Sequence, residues 1–490
     1  MAQGPTLLTM LDLRPIGYVI GLLVAALGCA MLLPMAVDLY AGNRNWMAFL
    51  ESAIITVFTG GLIAQSCANA DHRGLTIQQT FILTTFVWLA LPLFGALPFY
   101  FGATQASPTD AFFEAMSALT TTGATVFSGL GDLPVGINIW RGALQWLGGI
   151  GIIVVAMVFL PELRVGGMQI FRSESFDTFG KILPRATEIS SKISVIYISI
   201  TAAAIIAYLA CGLSGMDAFM HAMTTVSTGG HSNYDASFSA LPAAAEYVAV
   251  VFMIAAALPF VRYVQLISGD NLALLRDAQI RGFLIILAVG VAAVTMWLWS
   301  QGGFSEEALR KALFNVTSIM TGTGYSSADY MQWGSFPIAV IFFIGLVGGC
   351  AGSTSCSIKV FRFQLLFASI RAQINAIHSP HGIFTPRYEG RAIEEDVVNS
   401  VMAFFMVFVV TLGVVSVLLG LTGLDFTTSV SGAVATLANI GPGLGDEIGP
   451  AGNYGDINVA AKWIMIAAMV IGRLELMAVY AMLTLRFWRN

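Results

Sequence analysis

Residues 110–123 read DAFFEAMSALTTTG, and the register returns as DAFMHAMTTVSTGG at 217–230, KALFNVTSIMTGTG at 311–324 and TSVSGAVATLANIG at 428–441. Every copy closes on glycine: Gly123, Gly230, Gly324, Gly441. The first two copies share Asp-Ala-Phe and a later Ala-Met, the third keeps Ala312 and Phe314, and the fourth is recognised mainly by position. A helix of about a dozen residues at 1.5 Å rise spans roughly 18 Å, short of a hydrocarbon core of about 30 Å. Each copy is therefore expected to enter the membrane and return.

The bilayer setting follows from composition. Of 490 residues, 57% are hydrophobic and 10% charged, well under the roughly 25% charged share of soluble domains, which excludes a soluble globular protein. Ten apolar stretches are long enough to cross, near 16–38, 46–66, 77–103, 139–160, 192–213, 243–267, 281–301, 336–377, 398–422 and 458–486, and the first is too long for a cleaved signal. The four repeats fall in the connections after stretches three, five, seven and nine. The stretch 336–377 exceeds one simple crossing and is interrupted by Gly348, Gly349, Cys350, Ala351, Gly352, Ser353, Thr354 and Ser355, a run no continuous helix would choose. A broken helix is expected there.

Of the 23 Lys and Arg, 17 fall on the side of the termini, five (Arg44, Arg141, Arg310, Lys311, Lys462) on the other, and Arg473 inside the last span. The enrichment of basic residues in cytoplasmic loops then places both termini in the cytoplasm. The scatter of these charges excludes a nucleic-acid surface, and the five cysteines form neither a disulfide framework nor a zinc motif.

Irregular backbone at membrane depth is tolerated only where protein buries it or it lines an aqueous cavity, so four such elements suggest the walls of one pore. The candidate lining is Thr121, Thr122 and Gly123; Thr228, Gly229 and Gly230; Gly322, Thr323 and Gly324; and Asn439, Ile440 and Gly441. Extended, glycine-containing backbone can turn carbonyl oxygens toward an axis and replace a cation's hydration shell, and the negative C-terminal ends of the short helices add favourable potential. Five residues past three of the glycines stand Asp235, Asp329 and Asp446, with Ser128 in the first copy. They form either an acidic ring that concentrates cations at the outer mouth or ordinary solvated loop positions.

TTTGAT (120–125), STGGHS (227–232), GTGYS (322–326), NIGPGLG (439–445), QWLGGIGIIV (145–154), GGCAGSTSCSIKVFR (348–362) and IGRLE (471–475) together resemble the Trk/Ktr/HKT superfamily of potassium transporters and channels over nearly the whole chain, most closely its TrkH/TrkG membrane subunits. The resemblance implies an all-α polytopic membrane protein with two N-terminal helices and four helix, pore-loop, helix units in pseudo-fourfold arrangement around a central pore. In this chain those parts are 1–70 for the helix pair, then units at 71–165, 166–270, 271–392 and 393–490. It implies potassium bound at the carbonyl-lined residues named above, with Gly123 at the position where sodium-favouring plant relatives carry Ser. It implies that residues 348–357 are an intramembrane gate loop and that Arg473 projects below the filter as an electrostatic barrier. The sequence departs from the commoner pattern at Ser355-Cys356-Ser357, where glycines are frequent, and at His231, where an aromatic residue is usual.

Each of these residues also has a plainer reading. Arg473 could pair with a carboxylate such as Glu475 or with carbonyls between helices, the loop could be a static kink, and His231 and His221 could simply pack. No organic cofactor motif is present, and there is no nucleotide-binding fingerprint. The resemblance supplies the partners: potassium, membrane lipid, a second copy of the chain, and a cytosolic ring of nucleotide-binding regulatory subunits of TrkA type, with basic loops at 162–192, 262–281 and 359–391 as docking surfaces. The expected activity is gated, channel-like potassium uptake across the bacterial inner membrane and not an enzyme reaction. Two alternatives differ in class: a symporter coupling potassium to protons or sodium, and an intramembrane serine protease using Ser326 with His221 or His231.

Overall fold

Each short helix starts at a side-chain cap. Ser107, Ser214 and Ser305 accept the backbone N–H of Asp110, Asp217 and Ala308 at 3.2, 3.1 and 3.1 Å, and Asp425 accepts that of Thr427 at 2.9 Å. Such caps satisfy donors that a helix start leaves open. In the computed structural model, which describes residues 12–69, 75–155, 186–474 and 476–489, the caps open the helices Pro108–Leu119, Gly215–Val226, Glu306–Met320 and Phe426–Leu437. The unit boundaries 70/71 and 165/166, residues 162–185 of the first basic loop, and Glu475 lie outside the described residues.

Six helices among the described residues are long and apolar enough to cross a membrane: Arg14–Tyr40, Trp46–Ser66, Ile77–Phe101, Ser190–Ala210, Ala278–Gly302 and Glu395–Leu421. The last four lead into the four capped helices. The first two pair through glycines. A Cβ on Gly21 would stand 2.5 Å from the Ala64 nitrogen, and one on Gly60 2.5 Å from that of Ala25, the close backbone approach that small residues permit between membrane helices.

The return helices are less regular than the hydropathy suggests. Val135–Val154 serves the first unit. The second unit's stretch 243–267, expected as one crossing, is bent by 88° between Ala243–Ala257 and Phe260–Ile267. Pro259 lacks an N–H, and Leu258 before it is extended (φ −84°, ψ 156°), as a residue preceding proline prefers. The third unit is broken between Ser335–Gly345 and Val360–His378, as the sequence predicts, and the fourth divides into Val459–Arg473 and Leu476–Met482.

The units close into a cycle. Val135–Val154 packs on the second short helix, Ala243–Ala257 on the third, and Val459–Arg473 on the first. Ile341 and Ile344 of the third unit share a core with Val434, Ala438 and Ile440 of the fourth. Three of these joints carry a buried polar tie. Arg141 donates to the Ser232 carbonyl at 2.9 Å, Glu246 holds Arg310 at 2.6 Å and Lys311 at 2.9 Å, and Lys462 meets Asp110 at 2.6 Å.

Candidate functional site

The four short helices end alike. The N–H groups of Thr122, Gly229, Thr323 and Ile440 reach back to the carbonyls of Ser117, Thr224, Ser318 and Ala435 at 2.8–2.9 Å. Thr121, Thr228, Gly322 and Asn439, just before them, are left-handed at φ 52°, 50°, 74° and 50°. This is the Schellman ending, which favours glycine or asparagine at the left-handed residue. Two copies obey that preference, whereas Thr121 and Thr228 hold a β-branched residue in a conformation that costs an ordinary L-residue about 1–2 kcal/mol.

Two residues on, Gly123, Gly230, Gly324 and Gly441 are again left-handed, at φ 84°, 80°, 80° and 102°. A Cβ on Gly441 would lie 2.7 Å from the Thr122 oxygen. One on Gly123 would overlap the Gly229 oxygen, one on Gly230 the Thr323 oxygen, and one on Gly324 the Ile440 oxygen. Each terminal glycine thus leans on a carbonyl of the next copy, and the four contacts close into a ring. Gly441 and Thr122, 319 positions apart in the chain, are brought together here, and glycine is required by close approach as well as by φ.

On one side of the ring opens a cavity of about 190 Å³ touched by all four glycines. Of the three aspartates, Asp235 lines this cavity, but its carboxylate accepts the N–H groups of Gly129 and Leu130 at 3.0 and 3.4 Å. Asp329 caps a single turn through the Met331 N–H at 3.1 Å, and Asp446 is exposed away from the cavity lining. Asp329 and Asp446 are absent from the cavity lining, so the three are not gathered into one ring there.

On the other side lies a smaller cavity of about 50 Å³, bordered by Asn439, Arg473 and the loop from Ala351 to Ser357. The loop is pinned from two directions. Cys350 and Thr354 donate backbone N–H groups to the Ala257 and Ala256 carbonyls at 3.0 and 3.3 Å, and the Phe260 N–H donates to the Gly352 carbonyl at 2.9 Å. The Ser355 hydroxyl accepts the Gly349 N–H at 2.8 Å and donates to the Thr321 carbonyl, at the base of the third segment, at 2.7 Å. Ser357 is left-handed (φ 61°), with its hydroxyl donating to the Gly345 carbonyl at 2.8 Å. Side-chain hydrogen bonds thus supply order where glycines would supply freedom.

Cys356 sits directly under the ring. Its sulfur is 3.5 Å from the Thr121 hydroxyl and 2.7 Å from Arg473 Nη1. Arg473 ends its helix, where a cation complements the dipole, and Nη1 also lies 3.5 Å from the Thr354 carbonyl. Its Nε and Nη2 are buried without a protein partner among the described residues.

Sequence reasoning missed a buried clamp beside the ring. Glu114 accepts Arg141 Nε at 2.7 Å, the Val126 N–H at 2.9 Å and the Thr125 hydroxyl at 3.0 Å. The signal was an acid in the apolar run AFFEAM and an Arg inside a span. His231 lies 3.7 Å from Glu114, and His221 bridges the Asp217 carbonyl and the Ser232 hydroxyl at 2.8 and 3.0 Å. The Ser326 hydroxyl donates instead to the Pro450 carbonyl at 3.2 Å, so the serine–histidine pair of a protease is not formed among the described residues.

Fold and site together define a polytopic membrane protein, helical apart from the short hairpin of Arg387–Tyr388 and Arg391–Ala392, in which four re-entrant units surround a carbonyl-bordered passage. The TrkH family model, described as a cation transport protein, matches residues 46–486. The chain is 41% identical over 478 residues to the Trk system potassium uptake protein TrkI of Halomonas elongata, covering 97% of each. It is 33% identical over 485 residues to TrkH of Escherichia coli K12, covering 97% of this chain and 99% of that one. The crystal structure of the potassium transporter TrkH from Vibrio parahaemolyticus superposes with a TM-score of 0.89 at 32% identity, covering 98% of this chain and all of that one. The chain belongs to the TrkH family, and it is a transport protein rather than an enzyme.

Proposed function

We propose that this chain is the membrane subunit of a potassium uptake system in the bacterial inner membrane, working as a gated, channel-like pore with both termini cytoplasmic. The observation that carries the reading is the closed ring in which the carbonyls of Thr122, Gly229, Thr323 and Ile440 each meet the glycine of the adjoining copy. Four oxygens at one level, at the negative ends of four helices, form an environment for a dehydrated monovalent cation. Potassium is the permeant ion by analogy with relatives that carry it in their names, and Gly123 favours it over sodium. Filter contacts come from Thr121 to Gly123, Thr228 to Gly230, Gly322 to Gly324 and Asn439 to Gly441. The loop from Gly348 to Ser355, with Arg473 against it, closes the path beneath. Asp235 adds negative potential at the mouth. The chain works as a homodimer with a TrkA-type nucleotide-binding ring.

A coupled symporter would need an acid free to exchange a proton within the membrane. The buried acid beside the ring, Glu114, has both oxygens engaged by Arg141, Thr125 and Val126, which favours the channel-like reading.

The test is potassium and sodium flux into proteoliposomes for wild type, Gly123→Ser and Arg473→Ala. Potassium-selective wild-type flux, sodium leak in the first variant and faster flux in the second are expected. Absence of cation flux in every variant, with folded protein and the regulatory subunit supplied, would overturn the pore reading.

A further inference from the structure

Two carbonyls at the ring are already engaged by side chains from outside the four loop segments. Gln145, buried in Val135–Val154, donates Nε2 to the Gly229 oxygen at 2.6 Å and accepts the His231 N–H at Oε1 at 3.1 Å. The amide orientation is fixed by chemistry, since a backbone N–H needs the oxygen and a carbonyl needs the nitrogen. A single side chain therefore brackets Gly230 from behind. Gly229 permits the approach, because a Cβ there would lie 2.5 Å from Oε1 of Gln145.

The second case is Tyr454, buried between the fourth and first units. Its hydroxyl donates to the Gly441 oxygen at 2.6 Å, and its backbone N–H donates to the Thr125 carbonyl at 2.8 Å. In the cyclic order of the ring, segments two and four stand opposite each other. Among the described residues, the oxygens of Thr122, Thr323 and Ile440, and those of Gly123, Gly230 and Gly324, accept no hydrogen bond. The backbone repeats four times, but at each of two successive levels one carbonyl of the four is tethered, Gly229 at the first and Gly441 at the second, on opposite segments.

We propose that Gln145 and Tyr454 are positioning residues for ion selection, which hold the Gly229 and Gly441 carbonyls back against contraction of the passage. This rests on the reading of the ring as an ion filter. A smaller cation gains full coordination only if the surrounding oxygens move inward. A carbonyl tethered by a short hydrogen bond resists that movement, and part of its electron density is already drawn toward the donor. Sodium loses more from this than potassium.

Potassium, rubidium and sodium fluxes in proteoliposomes would be compared for wild type, Gln145→Leu, Gln145→Glu and Tyr454→Phe. Gln145→Glu keeps the acceptor for His231 but loses the donor to Gly229. The loss of one hydrogen bond predicts a potassium-over-sodium preference reduced about fivefold to tenfold in each variant. Half-saturation for sodium falls while maximal potassium flux is kept, a split that a purely structural role would not give. A potassium-selective wild type with a folded Tyr454→Phe variant of equal selectivity and half-saturation overturns the proposal. Because Tyr454→Phe removes a single hydroxyl, it decides the matter even where the Gln145 variants fail to fold. A folded wild type that conducts without preferring potassium overturns the filter reading itself.

Discussion

The ring and the loop beneath it are neighbours built on opposite plans. The ring is made four times over from backbone, each copy closed by the same helix-terminal hydrogen bonds and seated on the next. The loop exists once, in the third unit, and is held by side chains and by the carbonyls of Ala256 and Ala257 at the bend in the second unit's return helix. Backbone closed on backbone sets the ring's geometry, with Gln145 and Tyr454 as side-chain braces on two of its carbonyls. A single loop held by a countable set of hydroxyl and backbone hydrogen bonds to its neighbours can be released by losing them together, the property expected of a two-state element.

The largest effect that would break this contrast is expected at Gly230. Gly230→Ala brings a methyl group onto the Thr323 oxygen at φ 80°, so the segment must move, and cation flux in proteoliposomes should fall to background. Wild-type flux would show the ring to be as pliable as the loop. A middle-sized effect is expected at Ser355. Ser355→Ala leaves the Gly349 N–H and the Thr321 carbonyl without their bridge, which favours the released loop by about 1–2 kcal/mol. Flux without the regulatory subunit should rise several-fold with thermal stability nearly kept. The smallest concerns Thr228. Thr228→Asn gives the second segment the residue that the fourth uses at the same left-handed position, and relief of strain should stabilise the protein by about 0.5–1 kcal/mol. Thermal unfolding in detergent would measure it, and a fall in stability would mean that the methyl group's packing outweighs the strain.

Much of this architecture was legible in the sequence because it depends on length and on glycine. Four runs too short to cross, each ending in Gly, required re-entrant walls, and the break at 348–355 announced itself by composition. Of the three aspartates five residues past the glycines, Asp235 alone lines the outer cavity, although the segments still match three residues past the glycine, where Glu114 and Asn315 take the N–H groups of Val126 and Ser327 alike. The bend at Leu258 was overlooked inside a strongly apolar run although Pro259 marked it. The Glu114–Arg141 pair and the Gln145 bracket join residues 27 and 84 positions apart, and no local pattern reports such partners.

The closure of the fourth copy on the first also has a consequence in time. Asn439 donates to the Thr122 hydroxyl at 2.8 Å across 317 residues, and Lys462 meets Asp110 across 352. A ribosome adding about 5–20 residues per second needs roughly 15–60 s to supply the wall that the first segment waits for. Throughout that interval the growing ring has an open flank, with Thr122 lacking its Asn439 donor and Asp110 its lysine. The nascent protein therefore needs water or the insertion machinery as a stand-in for its own last hundred residues.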